Sequence, residues 1–398
     1  MTLFDDDFSK PPDRTPEISS VPEQEPASPV ASNELVLGSQ SELQAGPQNS
    51  DPLWPVLHVP VPYSQRPEVP EDLRISWSWP HVLCFIAFAF ISLLVVQTGF
   101  AIYYSPKHAL PQNELEQYFL SNPLFIVGSN VAWFSTVLLF LYVSLSVLPG
   151  VPFWRTLGWR KFSSTVAAIH SKLPTKPWIY FLFGCGLSLI TAIAGSRVHT
   201  PDNMPIEQLL KSRSGSILMM SMAVLVAPLV EETVFRGYLY PALVRMFSGY
   251  FSFVAEDYGR ATKFSFAESA LIVGGLWRLL HKGRVVFLYG LAFLLVSLLL
   301  NYMIVRYVGK DVGKGLRTGI GTSILLTGLL FGMLHGAQLA WTWGIVTLLI
   351  VVGITFTYVR AKTGTVFASY LMHLGYNSLI AFATVVGTHG FTKMPPHP

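Results

Sequence analysis

From Trp77 onward the chain is built of apolar runs of about 20 residues separated by short polar connections. WPHVLCFIAFAFISLLVVQTGFAIY, residues 79–103, contains no Asp, Glu, Lys or Arg. A hydrocarbon core about 30 Å thick needs about 20 helical residues to cross it. Inside it every backbone polar group must be satisfied within the segment, so such runs read as spanning helices. Eight spans are expected, near 80–104, 123–148, 177–195, 216–246, 284–305, 318–338, 342–360 and 365–387. FSFAESALIVGGLWRLL, 264–280, is shorter and carries Glu268 and Arg278. It is a candidate ninth span, re-entrant piece or interfacial helix. The expected fold class is all-α, a polytopic integral membrane helical bundle.

Composition agrees. The 398 residues are 51% hydrophobic and 13% charged, against about 25% charged in an average soluble domain. The two cysteines, Cys84 and Cys185, both lie in apolar runs, which excludes a disulfide framework and argues against a cysteine metal site. The start of the chain shows no cleavable-leader pattern. Residues 1–75 hold 13 of the 23 acids but 4 of the 27 Lys and Arg, with many Pro and Ser. They read as a disordered, acidic, Pro-rich cytoplasmic tail. The remainder has 23 basic and 10 acidic groups. A basic body could suggest nucleic acid, but these charges fall in short loops between spans, where they set orientation, so no nucleic-acid partner is expected.

The connection between the second and third spans carries Arg155, Arg160, Lys161, Lys172 and Lys176 and no acid. The positive-inside rule makes it, and the tail two spans earlier, cytoplasmic. The loops at 306–317 and 360–362 are also basic. They fall on that same side only if 264–280 crosses, so the rule favours nine crossings. The expected organisation is a tail at 1–75, N-terminal spans at 76–204 and a membrane core at 205–390.

Ionisable groups inside spans are costly and face the bundle interior or a wet cavity. Here they are few: Glu231, Glu232, Arg236, His335, His373 and Asn377, with Asn301 and Asn130 as lesser candidates. In EETVFRG (231–237), Glu232 and Arg236 are four apart with the acid first, the favourable order for a helical ion pair. Glu231 is rotated about 100° away. One carboxylate can hold Arg236 while the other points elsewhere, and adjacent acids in a low dielectric titrate apart, which is how a site obtains a base near neutral pH. Pro228 loosens the helix just before them. In FGMLH (331–335), Phe331 shares a helix face with His335 and can wall its ring. In HLGYN (373–377), His373 and Asn377 share a face; Asn can orient a ring, donate to an oxyanion or ligate a metal. Against each stands a plainer reading: an ion pair or hydrogen bond that only knits helices together.

One acid pair and two histidines on three spans are an inventory for activating water. In one mechanism His335, His373 and a carboxylate hold Zn²⁺. In the other Glu231 and His335 activate water without metal, and His373 and Asn377 donate to the oxyanion. HExxH and GxSxG are both absent, so a one-helix zinc site and a serine nucleophile elbow are not expected.

The order EExxxR, FxxxH, HxxxN, each on its own hydrophobic run, resembles the CAAX prenyl endopeptidase and bacteriocin-processing (CPBP) family of intramembrane proteases, which includes the type II CAAX prenyl endopeptidases. The resemblance covers roughly 205–390. It implies a glutamate-dependent endopeptidase, of a kind usually classed with metalloproteases. Glu231 would be the catalytic carboxylate, His335 its partner, and His373 and Asn377 the opposite wall, as ligands or oxyanion donors. Glu232, Arg236 and Phe331 would brace the site, and Zn²⁺, if used, would take Glu231, His335 and His373. The substrate would be a membrane-associated protein or peptide in a lipid bilayer, at the plasma membrane in a prokaryotic host. The chain departs from the family in one respect. Glu231 and His335 are 104 residues apart, whereas the family joins these motifs by a short connection, so about 65 residues near 250–315 read as an insertion. Two inserted crossings preserve the relative direction of the motif helices and one reverses it. The alternatives are a non-catalytic membrane scaffold or bacteriocin-immunity-type binding protein, and a proton-coupled transporter, for which no paired broken helices are seen.

Overall fold

A computed structural model of the chain describes residues 69–106, 110–111, 114–115, 118–119, 121–162, 173–199, 212–280, 283–309 and 311–392. The expected tail as far as residue 68, and Lys172, lie outside the described residues. Regular structure among the described residues is entirely helical. Among the described residues nine long helices follow one another: α1 (Trp79–Tyr103), α2 (Pro123–Val147), α3 (Pro177–Gly195), α4 (Arg213–Glu256), α5 (Tyr258–Leu280), α6 (Gly283–Val308), α7 (Val312–Leu334), α8 (Trp343–Thr363) and α9 (Val366–Gly387). All but α5 are long and apolar enough to cross a membrane, so the protein is a polytopic integral membrane bundle.

Local chemistry marks the helix ends. Proline opens α2 and α3, where its missing N–H costs nothing and its φ is already helical. Asn122, Asp311 and Thr365 cap α2, α7 and α9 by accepting from backbone N–H groups one to three residues into the helix, which satisfies otherwise orphaned donors. Gly364, at φ +68, ends α8 in the left-handed conformation and lets α9 start two residues later.

α4 is longer than the expected span, 44 residues without a break, but it is not a uniform α-helix. It widens to π-helix over Met222–Val226 and again over Thr233–Leu239. Each π segment lies just ahead of a proline, Pro228 and Pro241. A proline removes one i→i−4 hydrogen bond and its ring strikes the carbonyl four residues back. Widening the preceding turn to i→i−5 relieves that contact. The acid pair sits on the six-residue α segment between the two π segments.

α5 and α6 fill the connection between the first two motif helices. They form an antiparallel hairpin in which Ala261 packs with Ile304 and Val308, Ser265 meets Ser297, and Gly290 meets Val273. The segment at 264–280 is thus part of a continuous helix, not an isolated piece, and it runs beside a span. A polar knot stitches the hairpin to α4. Tyr250 Oη donates to Asn301 Oδ1 at 2.7 Å, and Asn301 Nδ2 donates to Ser265 Oγ at 2.9 Å. This is the whole role the structure gives Asn301. Asn130 donates to the carbonyl of Ile126 in its own helix. The hairpin returns the chain to where it left, since Gly315 and Gly319 of α7 lie against Ser252 and Ser248 of α4. α7 therefore runs antiparallel to the second half of α4.

Two expectations change. The tail does not extend to residue 75. Residues 69–77 pack on the membrane core: Leu73 is buried against Tyr240 and Val244, Trp77 stacks on Tyr238 at 5.5 Å, and Arg245 Nη1 donates to the carbonyls of Ile75 and Trp77. Acid-rich composition suggested a solvated segment, but Leu73 and Trp77 have apolar seats to fill. Nor is Arg360 a free loop cation. It is fully buried at the end of α8, with Nη1 2.7 Å from Asp72 Oδ2. Nearby, Val366 N donates to Gly158 O and Thr365 Oγ1 to Arg160 O. The segment before α1, the connection after α2, the start of α7 and the α8–α9 turn thus gather at one end of the bundle.

Candidate active site

The three motifs converge on one carboxylate. Glu231 of α4 places Oε1 4.0 Å from Nε2 of His335 and Oε2 3.8 Å from Nε2 of His373. Glu231 and His335 are partly exposed, at 17% and 26% of their side chains, so the opening to the site lies on their side. Glu232, next in sequence, is fully buried. Its Oε1 accepts from Arg236 Nη1 and from His373 Nδ1, both at 3.0 Å.

The opposite nitrogen of each imidazole fixes its tautomer. His335 closes α7, where the last carbonyls of a helix have no partner in their own ladder. Its Nδ1 lies 2.8 Å from the carbonyl oxygen of Phe331. A carbonyl can only accept, so Nδ1 carries a proton and Nε2 faces Glu231. His373 Nδ1 likewise donates to the Glu232 carboxylate, and its Nε2 also faces Glu231. Both rings are pinned at the back and present the same atom to the front, the arrangement by which proteins orient working histidines.

Arg236, the partner of Glu232, is fully buried too. Besides Glu232 it donates from Nε to Thr357 Oγ1 at 3.2 Å and from Nη2 to the Gly353 carbonyl at 2.9 Å. Its guanidinium also lies 4.5 Å from the Phe331 ring centroid and 5.5 Å from that of Phe356. A rigid planar fork with five donors can serve several acceptors at once, which suits a cation far from water. Phe331 sits at the centre of the cluster, 4.9 Å from the His335 ring and 5.7 Å from the His373 ring. It therefore walls both imidazoles and not His335 alone.

Asn377 lies one turn beyond His373 but faces elsewhere: its Nδ2 donates to the carbonyl of Ala223 at 2.7 Å. Ala223 belongs to the first π segment of α4, so Asn377 ties α9 to the bend ahead of the acid pair. Sequence reasoning missed Gly353, Phe356 and Thr357 on α8. Their i, i+3, i+4 spacing places them on one face, but glycine, phenylalanine and threonine are ordinary in a span and no single one gives a signal.

Comparison with protein families gives a match to the model described as Rce1-like, type II CAAX prenyl endopeptidase, over residues 213–310 and 312–379. No curated protein and no solved structure matches the chain. The matched range holds EETVFRG, FGMLH and HLGYN and runs across the α5–α6 hairpin. Over residues 213–379 the chain thus carries a domain similar to the type II CAAX prenyl endopeptidases.

Proposed function

We propose that the protein is an intramembrane endopeptidase that hydrolyses a peptide bond with water activated by Glu231 and His335. The observation that carries this reading is the convergence of two back-pinned imidazoles on the two oxygens of one carboxylate. A water donating one proton to each at about 2.8 Å fits between an oxygen and a nitrogen 4.0 Å apart. Glu231 takes a proton from that water, with His335 Nε2 accepting its second hydrogen bond. The oxygen attacks the scissile carbonyl carbon, and the charge forming on the carbonyl oxygen is met by His373, which donates from Nε2 when protonated. Glu231 then passes its proton to the amide nitrogen as the C–N bond breaks. Glu232 and Arg236 act indirectly by holding His373, and Asn377 positions the helix that carries it.

Glu231, His335 and His373 also have the donor chemistry of a zinc site. Tetrahedral coordination with bonds near 2.0–2.1 Å requires neighbouring donors roughly 3.3 Å apart. The separations here are 3.8 and 4.0 Å. Among the described residues no group of three such side chains is spaced to hold a metal ion. The wider donor spacing is what favours activation by the carboxylate here.

The basic segments that gather at one end favour placing that end, with the tail, in the cytoplasm. The substrate class that follows from the family is a membrane-associated protein or peptide. The test is a comparison of protein termini in membranes of cells carrying the wild type or Glu231→Gln at equal expression. New termini present only with the wild type are expected. Identical termini with a folded variant would replace this reading with that of a non-catalytic membrane scaffold.

A further inference from the structure

A cleft of about 490 Å³ opens between the end of α6 and the start of α7, away from the site described above, and is lined by Tyr307, Lys314, Arg317, Thr318, Gly321 and Thr322. The five α7 residues lie on one helical stripe, and Leu325 and Leu329 continue it. The opposite face of α7, at Leu316, Ile320 and Ile324, packs toward α4. Along the stripe the chemistry changes in order: two cations, then two hydroxyls around a glycine, then exposed leucines at 59% and 42%. On α6, Tyr307 and Met303 are one turn apart and exposed. A Cβ built on Gly321 meets nothing within 4 Å, so the glycine leaves a notch where the polar zone gives way to the apolar one.

A phospholipid has this same gradient: an anionic phosphate, then hydroxyl-seeking ester carbonyls, then acyl chain. The charge at the mouth is net positive, although Asp311 Oδ2 lies 3.8 Å from Arg317 Nη2. Thr318 spends its proton on the Lys314 carbonyl at 2.8 Å, whereas Thr322 has no hydrogen-bond partner among the described residues and can donate to an ester. The cleft is also at the end of the bundle where the basic segments gather, and basic pockets between spans at that end suit anionic headgroups. We propose that this cleft is a binding site for one anionic phospholipid. Its phosphate lies at Lys314 and Arg317, its glycerol esters at Thr322, and an acyl chain runs past Gly321 along Leu325 and Met303. The proposal is independent of the proteolytic reading.

The test is native mass spectrometry of the full-length protein in detergent, titrated separately with phosphatidylglycerol and phosphatidylcholine. The wild type is expected to retain one phosphatidylglycerol in preference to phosphatidylcholine. Lys314→Gln/Arg317→Gln should weaken that retention on the order of 30-fold, from the loss of two cations facing an anionic headgroup. Gly321→Leu keeps both cations, suits a helix and fills the notch, and it should also lose the bound lipid. Both variants change exposed positions, and unchanged thermal unfolding confirms their fold. Equal retention of the two lipids by the wild type, or full retention by Gly321→Leu, would overturn the proposal, the latter leaving only diffuse attraction. Displacement of phosphatidylglycerol by millimolar inorganic phosphate would overturn it in favour of a soluble anion.

Discussion

Arg236→Met removes the brace without changing the overall size of the side chain greatly, and its cost can be worked from the partners left behind. The Gly353 carbonyl keeps a donor, because Thr357 Oγ1 also donates to it at 2.7 Å. Thr357 in turn keeps that acceptor. Glu232 is different: it has no exposure, and only the His373 Nδ1–H would remain on its Oε1. Breaking a buried ion pair by deleting one partner costs about 3–5 kcal/mol, whereas replacing both partners with uncharged groups is close to neutral. Arg236→Met should therefore lose about 3–5 kcal/mol, and Glu232→Gln/Arg236→Met should recover most of the loss. Cys185 supplies the assay. It is a partly buried residue of α3, with Sγ 3.4 Å from the Gly375 carbonyl of α9, and unfolding should speed its reaction with a thiol-reactive dye. Cys84 is exposed and would be replaced by Ser. An Arg236→Met protein as stable as the wild type, or a double variant less stable than the single one, would refute the assignment of Arg236 as the counterion of Glu232.

Other outcomes follow from the same geometry. A Cβ at position 353 would lie 2.9 Å from both the Gly328 carbonyl oxygen and Phe331 Cδ1. Gly353→Ala should thus push α8 from α7, cost about 1–3 kcal/mol, and lower proteolysis by moving Phe331 between the imidazoles; unaltered stability and rate would contradict this. Asp72→Ala leaves Arg360 buried with the Asp72 backbone oxygen at 3.3 Å and the Tyr240 ring as its remaining neighbours. A loss of about 3–5 kcal/mol is expected in the same dye assay, and a loss below 1 kcal/mol would count against a clamped N-terminal segment. Finally, the spacing at Glu231 predicts that a zinc chelator leaves proteolysis intact and that purified protein carries much less than one zinc per chain. Stoichiometric zinc whose removal stops the reaction would reverse the choice between the two mechanisms.

Sequence by itself determined the class of fold. The thickness of a bilayer and the cost of unsatisfied backbone groups leave little choice for runs such as 79–103 or 177–195. It also singled out the motif side chains that the structure brings together, because a charged or imidazole side chain at membrane depth is expensive enough to stand out against leucine and valine. The acid four residues before Arg236 was legible as its partner for the same reason.

Tertiary structure decided what depends on neighbours distant in sequence. Whether 264–280 was a span could not be read from its own residues; its pairing with α6 made it one arm of a hairpin. Asp72 looked like one more acid in an acidic tail and Arg360 like one more loop cation. They are 288 residues apart, and only folding makes each the condition for burying the other. Asn377 had the spacing of a site residue, but the π turn ahead of Pro228 offered the Ala223 carbonyl to its side chain. Gly353 and Thr357 show the general reason. Their chemistry is unremarkable until a guanidinium from another helix arrives, and a sequence records a side chain without recording what will be packed against it.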